Sequence, residues 1–351
     1  MIFQEYALES RKLIENHLKQ ILHAQRELLP QSLQKQKIIE SLEEFVFKGK
    51  LIRGTLYLLT IEMFGGSITK KHLDIACAIE LVHSSLLIQD DIIDNDYFRR
   101  GGKTIFAVYE EKGHEVEAID ARHFGLSIAL LVADVSFYLA MELISNFDSD
   151  VVGKMMKYFS QEITKVALAE GIDSEFGQTK EEATKDEIID IYTFKTARYT
   201  FSLPLVLACL ALKKDEKTLK EIDTLGEYVG TIFQIKDDVI GLIGDEKEIG
   251  KPVGSDVREN KKTLIRFLLF EKVDDDEKNT IKRLFGNENF TREDLEYIKD
   301  LVSKYKIIDI LNSDIKKIMD KAWDLFNSLD INNEKKEVLK NLFEFNLNRT
   351  A

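Results

Sequence analysis

In ELVHSSLLIQDDIIDNDYFRRG, Glu80–Gly101, an apolar run of helical character (Leu81, Val82, Leu86, Leu87, Ile88) leads directly into Asp90, Asp91 and Asp94. On an α-helix, positions i and i+4 share a face, so Asp90 and Asp94 point the same way with Asp91 beside them. Three carboxylates on one turn repel each other unless a cation lies between them. Oxygen-only ligands suit a hard ion, and Mg2+ takes one or two carboxylates, several waters and substrate phosphates. Arg99 and Arg100 follow closely, and arginine offers phosphate a planar fork of donors. Carboxylates that reach phosphate only through metal, beside arginines that reach it directly, describe a metal-bridged phosphate site. A lone acidic helix end is often merely solvated. Here a second acidic stretch, FQIKDDVIGLIGD at Phe233–Asp245, again ends an apolar helix. There Gln234, Asp237, Asp238 and Gly241 fall at i, i+3, i+4 and i+7, on one helical face.

Outward from these motifs, the 351 residues could form one large or two ordinary domains, and 44% hydrophobic content is ample for a core. Gly (18) and Pro (3) are scarce and strand-like alternation is hard to find. This favours a single all-α domain over 1–351. The net charge of −13 argues against a nucleic-acid partner, which demands a basic face. It does not argue against an anionic substrate, because metal ions and local cations decide such a site. Cys77 and Cys209 lie in apolar helical stretches and read as buried thiols of a reducing compartment, hence a cytoplasmic location. The start MIFQEYALESRK has no basic segment followed by an apolar core, so no signal peptide is expected. Residues 126–144 are interrupted by Asp134 and Glu142 and read as a core helix, not a membrane span. The six histidines show no metal-ligand spacing.

Amphipathic spacing predicts a helix over residues 3–28, ended near Pro30, then a helical stretch over 35–63 broken at Gly49 and a turn at Phe64–Gly66. The aspartate helix starts near Lys70, and Gly101, Gly102 and Gly113 mark a loop. Core helices are expected over 123–146, 150–170 and 217–243. Thr184 and Glu187 form a capping box for the helix carrying Lys195, which Pro204 should kink or end. A loop with Gly244, Gly250, Pro252 and Gly254 follows the second motif, and Asp274, Asp275 and Asp276 read as a solvated turn. Beyond residue 270 the chain is helical and polar, with Thr291 and Asp294 as a cap.

From about Gly49 to Lys262 the sequence resembles the trans-polyprenyl diphosphate synthase family, with five motifs in the family's order. The resemblance implies an isoprenoid-synthase-type helical bundle around a central cavity, with both aspartate motifs facing it. It implies Mg2+, three ions, with Mn2+ able to substitute, held by Asp90, Asp91, Asp94, Asp237 and Asp238. The GKxxR motif maps onto Lys50 and Arg53, which with His83 and Arg100 would hold isopentenyl diphosphate. Arg99 is assigned to the allylic diphosphate, and Lys195 and Lys251 to phosphate. Asp245 is a supporting group, and Asp256 and Lys261 close the loop. Lys195, through its backbone carbonyl, Thr196 and the Gln234 side-chain oxygen would face the developing allylic cation, the usual electrostatic strategy. Three departures stand out. Gly241 replaces a third aspartate, and the family's GQxxD aligns with GIDSE, putting Ile172 and Glu175 at its glutamine and aspartate. Gln89 also stands where histidine is frequent.

The implied reaction is ionisation of an allylic diphosphate, attack by the isopentenyl double bond, and loss of a proton to the diphosphate product. The implied partners are those two diphosphates and a second copy of the chain as a homodimer. A terpene cyclase shares the fold but would not need Lys50, Arg53 and Arg100. A weakly active subunit of a hetero-oligomeric prenyltransferase is the other alternative, motivated by Gly241, Ile172 and Glu175. Ser85 and Leu86, at the fifth and fourth positions before Asp90, are not aromatic, and the motif carries no insertion. The expected product is therefore geranylgeranyl diphosphate, with farnesyl or longer-chain products as alternatives.

Overall fold

A computed structural model of the chain describes residues 2–34, 37–244, 253–287 and 289–348. The chain divides into two compact units. The first takes Met1–Lys157, Leu207–Lys214 and Ile331–Leu339, and the second Tyr158–Val206, Asp215–Asp330 and Lys340–Ala351.

In the first unit, α1 (Phe3–Leu28) buries Phe3, Tyr6, Ser10, Ile14, Leu18 and Leu22 at helical spacing. It ends at Leu29, which is extended because a residue before proline avoids the helical region. After α2 (Gln31–Gln34), helices α3 (Ile38–Phe47) and α4 (Ile52–Met63) flank the break at Gly49. Helix α5 (Lys70–Ile93) starts on Thr69, whose side chain accepts from the His72 N–H. Ile75 to Leu81 and Val82 are almost wholly buried, so α5 is enclosed on every side over this stretch and packs against α1, α4 and α7. One buried polar link, His17 Nε2 to Asp74 Oδ1 at 2.6 Å, joins α1 to α5.

Past α5 the expected loop is structured. Strands β1 (Phe98–Arg99) and β2 (Gly102–Lys103) pair antiparallel, with Arg99 opposite Gly102. Both turn residues have positive φ, Arg100 at 53° and Gly101 at 71°, as a tight two-residue hairpin requires. Gly113 lies inside α6 (Ile105–Glu115), not in a loop. A Cβ there would stand 2.9 Å from the Cα of Ala121, so this glycine serves the close approach of α6 to α7 (Ala121–Ser145). Helix α7 is the one helix among the described residues long and apolar enough to cross a membrane by length and composition. It packs against α5 and α6, as a core helix does.

Helix α8 (Val152–Gln178) runs further than expected. Thr184 caps α9 (Lys185–Ile191) with Glu187 in a capping box. The helix then continues as a π-helix over Tyr192–Ser202 before α10 (Leu203–Ala211). The wider π turn falls just before Pro204, which cannot donate an i→i−4 bond and crowds the turn before it. Helix α11 (Glu216–Ile243) packs along the π-helix so closely that a Cβ on Gly230 would lie 2.4 Å from the Ala197 Cα. Arg198 pins this pairing. It donates to Glu162 of α8 at 2.8 and 3.0 Å, and to Asp223 and Glu227 of α11 at 3.0 and 2.9 Å. Asp274 begins a helix rather than a turn: it caps Asp275–Leu284 by accepting from the Glu277 N–H. Thr291 and Asp294 form the expected capping box of the helix Arg292–Lys304.

Candidate active site

The N-terminus of α4 gathers one half of the predicted cations. Leu51, the cap residue, has φ 50° and offers no side-chain bond to the first turn. Glu80 of α5 takes that place: its Oε1 accepts from the Gly54 N–H at 2.7 Å. Arg53 meets His83 at 2.9 Å between Nη1 and Nε2. Burial, reinforced by the charges of Arg53, Arg100 and Arg99, pushes the His83 imidazole well below its ordinary range, so it is neutral and accepts this bond. Arg100 donates to the Phe45 carbonyl at 3.2 Å and lies over the Phe45 ring. Its Nη1 stands 2.8 Å from where a Cβ on Gly49 would be, so the GKLIRG glycine makes room for a guanidinium. Lys50 is exposed on the same turn.

At the end of α5 the three aspartates are not equivalent. Arg99 donates to Asp90 at 2.6 Å and, closer still, from Nε to Asp91. Asp91 is only 1% exposed. Burial raises its pKa to about 6 against the pull of Arg99, and among the described residues its Oδ2 has no hydrogen-bond partner. Asp94 closes the helix as its C-cap. Ser85 is buried and Leu86 partly so, one turn before these acids.

In the second unit, Lys195 of the π-helix pairs with Asp173 at 2.6 Å and Glu170 at 2.8 Å. Ile172 and Glu175, the positions expected from the GQxxD alignment, are exposed on α8. Glu170 and Asp173 have the i, i+3 spacing of that motif's glutamine and aspartate, and they are the carboxylates that pair with Lys195. Asp238 is buried and doubly held: Gln234 Nε2 donates to it at 2.8 Å, and the Tyr192 hydroxyl makes a short bond to it. The Gln234 bond engages its amide nitrogen and so fixes the side chain's orientation. Tyr192 also accepts from the Leu264 N–H at 3.0 Å. Burial and the negative charge of Asp256 push the Asp238 carboxyl well above its usual range. Asp237 is exposed and Thr196 half-buried. At the missing third aspartate, Asp256 Oδ2 lies 3.5 Å from where a Gly241 Cβ would stand. The Gly254 N–H donates to the Gly241 carbonyl at 2.9 Å. Lys261 pairs with Glu259 at 2.8 Å. Asp245, Gly250, Lys251 and Pro252 lie outside the described residues.

Oxygen-only donors and the orphaned, buried Oδ2 of Asp91 fit a hard divalent cation. Among the described residues no three His, Cys, Asp or Glu side chains converge on one point. Mg2+ takes one or two carboxylates and completes its shell with water and phosphate. Sequence reasoning missed Glu80, Asp173 and Tyr192. For Asp173 a signal existed, the i, i+3 spacing with Glu170; for Tyr192 nothing in the sequence points to Asp238.

The family model for polyprenyl synthetase matches residues 35–302. Geranylgeranyl diphosphate synthase of Sulfolobus acidocaldarius is 29% identical over 310 residues, covering 87% of this chain and 88% of that one. A short chain isoprenyl diphosphate synthase of Methanocaldococcus jannaschii is 33% identical over 280 residues, 74% of this chain and 79% of its own. Among solved structures, geranylgeranyl pyrophosphate synthetase from Pyrococcus horikoshii superposes with a TM-score of 0.82 at 27% identity, covering 99% of each chain. Geranylgeranyl pyrophosphate synthase from Corynebacterium glutamicum, complexed with isoprenyl diphosphate and magnesium, gives 0.89 at 23% identity over 97% of this chain and 99% of that one. Fold, motifs and relatives agree: the chain belongs to the polyprenyl synthetase family.

Proposed function

We propose that this trans-prenyltransferase condenses isopentenyl diphosphate with an allylic diphosphate, and that its product is geranylgeranyl diphosphate. The observation that carries the reading is a division of labour on α5. Asp90 and Asp91, tied to Arg99, suit a diphosphate reached through metal. Arg53, His83 and Arg100, around the start of α4, suit a second diphosphate held directly. A cyclase acting on one diphosphate has no use for the second set.

Asp90, Asp91 and Asp94 would hold Mg2+ at the first motif and Asp237 and Asp238 at the second, three ions in all, with Mn2+ able to substitute. When bound, the metal supplies Lewis-acid stabilisation of the departing diphosphate. Lys195 leaves Glu170 and Asp173 to hold that diphosphate, with Lys251 as a further ligand. Thr196 and the Gln234 oxygen face the allylic cation, and Lys50, Arg53, His83 and Arg100 hold isopentenyl diphosphate. Asp91 keeps Arg99 in place beside the allylic diphosphate. The apolar helices exclude water that would quench the cation. The reading also takes 1–351 as a single synthase domain working as a cytoplasmic homodimer, and exposed Leu130, Leu131 and Tyr138 on α7 support the dimer. Glu170 and Asp173 supply the carboxylates beside Lys195, which weakens the case for a low-activity subunit. Incubation with Mg2+, radiolabelled isopentenyl diphosphate and each allylic primer, followed by sizing of the products, tests the reading. A twenty-carbon product supports it, and no incorporation with any primer defeats it.

A further inference from the structure

Glu80 is 2% exposed and sits in an otherwise apolar stretch of α5, where an unpaired carboxylate would be costly. Burial does push its pKa up, and the Gly54 N–H, Arg53 and Arg100 pull it back down. Two independent features give this carboxylate a task. The first turn of α4 lacks a side-chain cap from its own chain neighbours, and Glu80 takes that role through Gly54 at 2.7 Å. That turn carries Arg53. Arg53 and Arg100 are like charges brought near one carboxylate, and without it they would repel.

We propose that Glu80 is the positioning residue of the isopentenyl diphosphate site: its buried carboxylate caps the first turn of α4 and holds Arg53 in place beside Arg100. This rests on the assignment of Arg53 and Arg100 to isopentenyl diphosphate. Glu80 touches no substrate; it acts through the arginines. A fold-only role would lower stability and weaken both substrates alike. The positioning role weakens one.

The test is calorimetric binding of isopentenyl diphosphate to full-length protein, with KM for each substrate and the urea midpoint measured in parallel. Wild-type protein must bind isopentenyl diphosphate, or the site assignment itself fails. Given that, Glu80→Gln, whose amide oxygen still accepts from the Gly54 N–H but carries no charge to offset the arginines, should bind it about tenfold more weakly. KM for the allylic primer should stay within about twofold. Glu80→Asp keeps the charge but draws it back from the Gly54 N–H, so it should show a smaller loss in the same direction. If Glu80→Gln does not fold, Glu80→Asp carries the test on the same two readouts. Unchanged or tighter binding of isopentenyl diphosphate in the folded variant, or equal losses for both substrates, overturns the proposal.

Discussion

Asp91 and Asp94 lie three residues apart and answer to different surroundings. Asp91 is buried and bonded to Arg99, whose side chain is only 11% exposed, whereas Asp94 is a half-buried helix cap. Substitution should therefore separate them. Asp94→Ala should lower kcat by orders of magnitude and shift the urea midpoint less than Asp91→Ala does, since its side chain is only half-buried. Asp91→Ala should lower activity and also cost roughly 2 kcal/mol of stability in urea unfolding. That is less than the 3–5 kcal/mol typical of breaking a buried pair, because Asp90 still holds Arg99. Equal stability of the two variants would refute the distinction. The DDxxD spacing made Asp90 and Asp94 legible as a shared face, because helical periodicity alone fixes it. The burial of Asp91 was not legible, since it depends on a hairpin that turns Arg99 back onto the helix. The position of Arg100 at φ 53° was equally hidden, as no spacing rule puts arginine there.

At the scale of elements, helix ends were the most readable features, because a capping box is local chemistry. Thr184 with Glu187 and Thr291 with Asp294 stand where their side chains require. The π-helix was legible only as a break near Pro204; the packing around it was not, because Arg198 reaches carboxylates on two other helices. Arg198→Met keeps the length and drops the charge, leaving Glu162, 2% exposed, without its guanidinium. Lys165 still pairs with Glu162 at 2.8 Å, so the expected result is a loss of about 2 kcal/mol in urea unfolding. A fall in kcat should accompany it, since Lys195 and Thr196 ride on the same π-helix, while KM for isopentenyl diphosphate holds. Unaltered kcat in a folded variant would detach Arg198 from the site. Helix α5 carries the second prediction at this scale. An α-helix rises about 1.5 Å per residue, so four residues span roughly 6 Å, close to one isoprene unit. Leu86 is then one turn below Asp90, with Ser85 beside it and Val82 and Ala78 deeper. Ser85→Phe should shorten the main product from geranylgeranyl to farnesyl diphosphate. Farnesyl diphosphate as the wild type's sole product, unchanged in the variant, would place the floor of the pocket elsewhere.

For the whole molecule, the scarcity of glycine and proline made the all-α class legible, and the motif order made the family legible. The surface of α7 was not, because hydrophobic content does not tell which apolar side chains face outward. That helix buries Ile128, Val132 and Leu139 against its neighbours and leaves Leu130, Leu131 and Tyr138 about half or more exposed. These apolar side chains share the exposed face of the helix with the exposed Asp134, and large apolar side chains grouped on a surface mark an interaction site. A second copy of the chain is the occupant proposed. A stable interface needs about 1,000 Å² or more in total, so these three residues would be its centre rather than its whole extent. A charge placed there loses its hydration on association without gaining a partner. Leu131→Glu should therefore shift the protein from dimer to monomer in sedimentation equilibrium at micromolar concentration. Leu131 makes no contact with the aspartate motifs in this reading, so Mg2+-dependent binding of isopentenyl diphosphate by the monomer reports whether one chain suffices for the site. A monomeric wild type, or a Leu131→Glu variant of unchanged mass, would remove α7 as the dimer surface.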